Sequence, residues 1–105
     1  MLDDKMLNET LRLIRKYHGV RQKDLAPQVG VARTHLSGIE RGKKGVSPKV
    51  LKMYSLIFNM SFASIFILKE RLEKKNVEFE VSPEVGEIYD WAKYIDKVSK
   101  AKTSV

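Results

Sequence analysis

Apolar residues recur at three- and four-residue spacing through most of this chain, and that period predicts helices. Over residues 4–17, Leu7, Leu11 and Ile14 form one stripe. Asp3 or Asp4 can cap the exposed amides, and His18-Gly19 can end the helix in a left-handed turn. Residues 22–29 turn Leu25, Ala26 and Val29 inward, and Gly30 breaks the pattern. Residues 32–41 turn Leu36 and Ile39 inward, with Val31 filling the turn before them and Gly42 ending the run. Lys43-Lys44-Gly45-Val46 reads as a loop. Ser47-Pro48 is a capping hydroxyl followed by a proline suited to a first helical turn, so a fourth helix is predicted to residue 58 on Val50, Leu51, Tyr54 and Ile57. Ser61 caps a fifth, carried by Ile65, Phe66 and Leu68 to about residue 75, and Phe58, Phe62 and Phe66 read as core.

The pattern then changes. Val77-Glu78-Phe79-Glu80-Val81 alternates apolar and acidic residues, the period of a half-buried strand, with Glu78 and Glu80 on its outer side. Ser82-Pro83-Glu84 starts a last helix to about residue 99, with Val85, Ile88, Trp91, Ala92, Ile95 and Val98 on one face. The expected fold class is all-α: a five-helix bundle in residues 1–75, followed by a C-terminal strand-plus-helix extension in residues 76–105. A lone strand needs a partner, and a wide apolar face must be covered. The extension can fold back on its own bundle or pair with a second copy. The expectation is a homodimer held by Val77, Phe79, Val81, Ile88, Trp91 and Ile95, with the two strands paired across a two-fold axis.

Charge narrows the function. The net charge is +7. Residues 1–60 carry twelve Lys and Arg against five Asp and Glu, whereas residues 61–105 carry eight of each. The whole excess therefore lies in the first part, and a concentrated basic surface attracts and steers polyanions. With no cysteine, disulfides and thiolate metal sites are excluded. His18 and His35 stand apart from any second ligand cluster, so no metal or other cofactor is expected. No glycine-rich phosphate loop and no Ser–His–acid set suggests catalysis. The apolar runs are too short to span a membrane, and Met1-Leu2-Asp3-Asp4 carries acids where a signal peptide carries bases, so a soluble cytoplasmic protein without membrane contact is expected.

The chemistry concentrates around Gly30. Two short helices joined by a tight glycine turn set the second one proud of the surface, and a major groove accepts one helix whose N-terminal residues reach base edges. That end reads Ala32-Arg33-Thr34-His35, with Ser37 and Gly38 one turn on. Arg33 can donate two hydrogen bonds to guanine, and Thr34 offers a hydroxyl and a methyl.

Residues 22–42, QKDLAPQVGVARTHLSGIERG, resemble the helix-turn-helix of the phage Cro and repressor family, also called the XRE family. The resemblance covers roughly residues 7–68 and implies a Cro/repressor-type five-helix bundle. It implies base reading by Arg33, Thr34, Ser37 and Gly38, where only close approach is open to a glycine. It implies phosphate contacts by Gln22 and His35, by Arg21 and Lys23, and by Lys43, Lys44 and Lys49 around the fourth helix. Arg15 and Glu40 take the places of the family's internal ion pair. Two positions depart from the pattern: Arg21 stands where a capping serine or threonine is favoured, and Pro27 lies inside the second helix.

These residues predict a sequence-specific regulator of transcription, not an enzyme. It would bind double-stranded DNA at a palindromic operator as a homodimeric repressor and act on its own promoter. The alternative keeps the DNA binding but makes the chain an antitoxin or restriction-modification controller whose residues 77–105 hold a protein partner.

Overall fold

The computed structural model describes residues 4–75 and 83–103, in which six α-helices follow one another. Asp4 caps α1 (Lys5–Tyr17) by accepting from the amides of Met6 and Leu7 at 3.0 and 3.2 Å. Gly19, at φ +69°, turns the chain out of it. Helices α2 (Gln22–Val29) and α3 (Arg33–Glu40) are joined at Gly30, whose φ of +88° lies in the left-handed region that a side chain disfavours. Ser47 caps α4 (Pro48–Phe58) by accepting from the amide of Val50 at 3.2 Å, and Asn59 closes it in the left-handed conformation. Ser61 accepts from the amide of Ser64 at 3.0 Å at the start of α5 (Phe62–Lys75). The last helix is α6 (Pro83–Thr103).

Both departures in α2 take the form the residues suggest. Arg21 is its N-cap and makes no side-chain capping bond. Pro27 sits within the helix on its exposed side, so the missing amide bond faces solvent.

The core is one cluster. Leu7, Leu11 and Ile14 of α1 meet Leu25 and Val29 of α2, Leu36 and Ile39 of α3, Val50 and Tyr54 of α4, and Ile65, Leu68 and Leu72 of α5. The partly buried Val31 packs against it from the turn. Burying this apolar surface drives the folding, at about 25 cal/mol per Å². The tertiary bonds of Asn8, itself buried, fix the α3–α4 loop. Its amide donates to the carbonyls of Ile39 at 2.6 Å and Lys44 at 2.8 Å.

The expected strand-plus-helix extension is corrected. The regular elements of the described residues are six helices with no strand among them, and the C-terminal part is a sixth helix laid on the bundle. Val85, Ile88, Tyr89 and Ala92 are buried in the same core cluster as α1–α5. The Ser64 hydroxyl donates to the Ala92 carbonyl at 3.0 Å. At the other side, the Tyr17 hydroxyl donates to Asp90 at 2.8 Å, and the His18 imidazole bonds the Tyr89 hydroxyl while stacking on Phe58. The physical reason is proximity: an apolar face covered by its own chain avoids the translational and rotational entropy lost on association. The strand expected over residues 77–81, with Val77, Phe79 and Val81, lies outside the described residues. No single helix among the described residues is long and apolar enough to cross a membrane.

Candidate nucleic-acid interface

The site is built on a buried carboxylate. Glu40, at the end of α3, is only 1% exposed. An isolated charge at that depth would be costly, so its oxygens need donors. Arg15 supplies a fork from α1: its Nε lies 3.0 and 2.8 Å from the two oxygens and its Nη2 lies 2.8 Å from Oε1. The Tyr54 hydroxyl of α4 donates to Oε2 at 2.9 Å, and the Gln22 amide of α2 donates to Oε1 at 3.0 Å. Burial first, and then the Glu40 carboxylate, push the Tyr54 phenol well above its ordinary range, so it remains a donor at any physiological pH. Arg15 also donates through Nη1 to the Val20 carbonyl at 2.7 Å. One acid thus ties four helices together and fixes the angle at which α3 leaves the bundle.

The expected pair of Arg15 and Glu40 is therefore part of a larger network. Tyr54 was legible only as a core residue, because nothing in a fourteen-residue separation foretells the reach of a hydroxyl. Gln22, expected at a phosphate, has its amide aimed by Glu40. One N–H is used there, and the second N–H and the carbonyl oxygen have further bonding capacity.

Around this anchor lies an exposed polar surface. Arg33, Thr34, Ser37 and Arg41 line a groove of about 250 Å³ together with Gln22. Arg33 and Ser37, four residues apart, share one face of α3, and Arg41, its C-cap, stands four residues further on. Arg41 was not singled out from the sequence, although that spacing would have found it. A second, open cleft of about 460 Å³ continues past the start of α2 and is lined by Arg12, Arg15, Arg21, Gln22, Lys23 and Arg33. Five of those six side chains are cationic. Arg12 too was missed; it lies one turn before Arg15 on α1.

The remaining expected contacts fall around this surface. Arg21 pairs with Asp24 at 2.8 Å across the first turn of α2, both side chains being largely exposed. Lys23 and Lys43 are exposed. Lys49 runs over the α2–α3 turn, its Nζ 3.6 Å from where a Cβ on Gly30 would stand. Gly38 is buried beneath the stem of Lys44, whose ammonium donates to His35 Nδ1 at 3.1 Å. Of the residues expected at a dimer contact, Ile88 is buried in the chain's own core, Ile95 is half-buried and Trp91 is 40% exposed with Arg71 stacked on its ring at 4.5 Å. No group of three or more histidine or acidic side chains fit to hold a metal occurs among the described residues.

Two short helices meeting at a left-handed glycine, the second with an outer face of arginine, threonine and serine beside a cationic cleft, define a helix-turn-helix DNA-binding protein. The helix-turn-helix family model matches residues 11–65, and the chain belongs to this family, of the phage Cro and repressor, XRE type. It is a DNA-binding transcriptional regulator. Among curated proteins it is similar to the competence pilus inhibition repressor of Acinetobacter baylyi, with 30% identity over 69 residues, covering 66% of this chain and 63% of that one. It is also similar to the ImmF control region 10 kDa protein of Bacillus phage phi105, with 35% identity over 60 residues, 57% of this chain and 67% of the phage protein. An uncharacterised HTH-type transcriptional regulator of Methanocaldococcus jannaschii is 31% identical over 64 residues, 61% of this chain and 97% of that protein. No solved structure matches the chain.

Proposed function

We propose that the protein represses transcription in the cytoplasm by binding a palindromic operator as a homodimer. The observation that carries this reading is the shared outer face of α3, where Arg33, Thr34 and Ser37 line one open groove with Arg41. In the major groove Arg33 donates to guanine and Thr34 meets a base edge or a thymine methyl. Arg21, Gln22, Lys23, Lys43 and Lys49 hold the flanking phosphates, which fix register without carrying sequence. Arg12 extends that clamp along the second cleft. A relative named as a repressor supports the direction of the effect.

Two-fold operators need two reading helices about 34 Å apart. We assign DNA binding to residues 1–75 and self-association to residues 76–105, through the outer side of α6, where Trp91 and Tyr94 are 40% and 65% exposed. A dimer seated over a promoter excludes polymerase by occupancy alone, so the role is binding and not catalysis. The promoter of its own gene is the first site to try. Nuclease footprinting on that promoter, read beside light scattering of the full chain, tests the proposal. A symmetric footprint and a dimer are expected. A monomer at high protein concentration contradicts the two-fold mode, and uniform protection along the DNA contradicts operator recognition.

A further inference from the structure

Gly38 leaves a gap on the outer face of α3, and a side chain from outside the helix fills it. A Cβ on Gly38 would stand 3.4–3.5 Å from Cγ, Cδ and Cε of Lys44. Lys44 therefore runs along the space that a side chain at position 38 would occupy.

Its starting point is held at both ends. The amides of Lys43 and Lys44 donate to the Gly38 carbonyl at 2.9 and 3.3 Å, and the buried Asn8 amide donates to the Lys44 carbonyl at 2.8 Å. Its far end is held as well, by His35 Nδ1 at 3.1 Å, one turn back toward the start of α3. A lysine ammonium has only donors, so Nδ1 accepts and the ring proton resides on Nε2. Two ammonium N–H groups are left for a ligand on the exposed side. A surface lysine that only clamps a phosphate is a flexible point charge. Lys44 is fixed at its backbone and at its tip.

We propose that Lys44 is a base-reading residue. It donates from the α3–α4 loop to the O6 and N7 acceptors of a guanine, in the place left open by Gly38, with His35 as the residue that positions it. The inference rests on the reading of α3 as the helix in the major groove. It replaces the phosphate roles that the resemblance implies for Lys44 and His35. Lysine is one of the two side chains suited to the guanine edge, and the glycine makes room for it.

The test begins with a randomised pool of DNA duplexes, from which the wild-type chain selects its preferred sequence. Binding by wild type, Lys44→Ala and Lys43→Ala is then measured by anisotropy on that duplex and on its single-base-pair variants, across a salt series. Lys44→Ala should lose, on the order of ten-fold or more, the preference for one G·C pair in each half-site and keep the preferences at the other positions. Lys43→Ala should weaken all duplexes alike and lower the salt slope by about 0.9. His35→Ala should weaken discrimination at the same pair as Lys44→Ala, and His35→Gln, whose amide oxygen can accept from the ammonium, should restore it. If Lys44→Ala behaves as Lys43→Ala, Lys44 is a phosphate contact and the inference is overturned while the DNA-binding reading stands. If wild type enriches no sequence, the operator reading itself fails and takes the inference with it. Melting curves matched to wild type are expected for each variant, because all three side chains are outside the core.

Discussion

At the residue scale, the buried carboxylate governs how firmly the reading helix is set. Removing one partner of a buried, hydrogen-bonded pair leaves the other uncompensated. Glu40→Ala should therefore cost about 3–5 kcal/mol in chemical denaturation, stranding Arg15 and freeing both Gln22 and Tyr54. Tyr54→Phe removes a single bond to a charged group and should cost about 2 kcal/mol. A denaturation midpoint for Glu40→Ala equal to that of wild type would show that the network is ornamental. Gly30→Ala is a separate test of the turn. At φ +88° a side chain is strained whatever the space, and the cost should be about 1–2 kcal/mol with weaker DNA binding from a tilted α3. Arg15, Glu40 and Gly30 could be placed from the sequence because each has a fixed register in a familiar motif. The bond from Tyr54 to Glu40 and the bond from Lys44 to His35 could not, since they depend on where a hydroxyl and an ammonium end up after the backbone has packed.

At the element scale, the first five helices were legible from their apolar stripes, and three of them also from their caps. Asp4, Ser47 and Ser61 start helices as their positions suggest, whereas α2 and α3 have no side-chain cap and Phe62, read as core, is 47% exposed. For the C-terminal helix the sequence left two covers open, a second copy or the chain's own bundle, and Val85, Ile88, Tyr89 and Ala92 take the second. Periodicity identifies an apolar face but not what will cover it, and here α5 and the end of α1 do so. Deleting residues 76–105 should therefore uncover Leu68, Leu72 and Ser64, lower the melting temperature and increase binding of a hydrophobic dye; an unchanged melt would mean that α6 adds nothing to the bundle. The same contact is sensitive to pH. Burial, and then the nearby Lys93 charge, hold the His18 imidazole below its ordinary value of 6.5. The unfolded chain then takes up the proton before the folded chain does, so the contribution of this group is present above about pH 6.5 and is lost as pH falls below it. Denaturation midpoints followed between about pH 8 and 5 should decline over that interval. His18→Phe, which preserves an aromatic ring against Phe58 and removes the titration, should flatten the decline. An equal decline in both proteins would assign it to other groups.

At the scale of the whole molecule, charge and shape point the same way. The excess of cations in residues 1–60 is gathered in part along the cleft from Arg12 to Arg33, next to the outer face of α3. The charge distribution only leaned toward a polyanion partner over a solvated basic face, and it was the helix-turn-helix register that said which helix would meet DNA. The cleft itself was not legible, because it is made by residues of three helices that come together only when the bundle closes. Such a surface predicts binding that is fast, tight at low salt and steeply weakened by added salt, with sequence preference carried by a few side chains on top.

The central claim is that α3 reads sequence, and the most direct measurement compares wild type with Arg33→Ala by fluorescence anisotropy. The probes are the duplex upstream of the gene and an unrelated duplex, each taken through a salt series. Wild type should prefer the upstream duplex by about 10³-fold or more at physiological salt. Arg33→Ala should lose most of that preference, keep its weak salt-dependent binding to both duplexes and melt as wild type does. An Arg33→Ala protein that melts normally and retains the full preference would contradict the account, because the sequence would then be read by some other part of the chain.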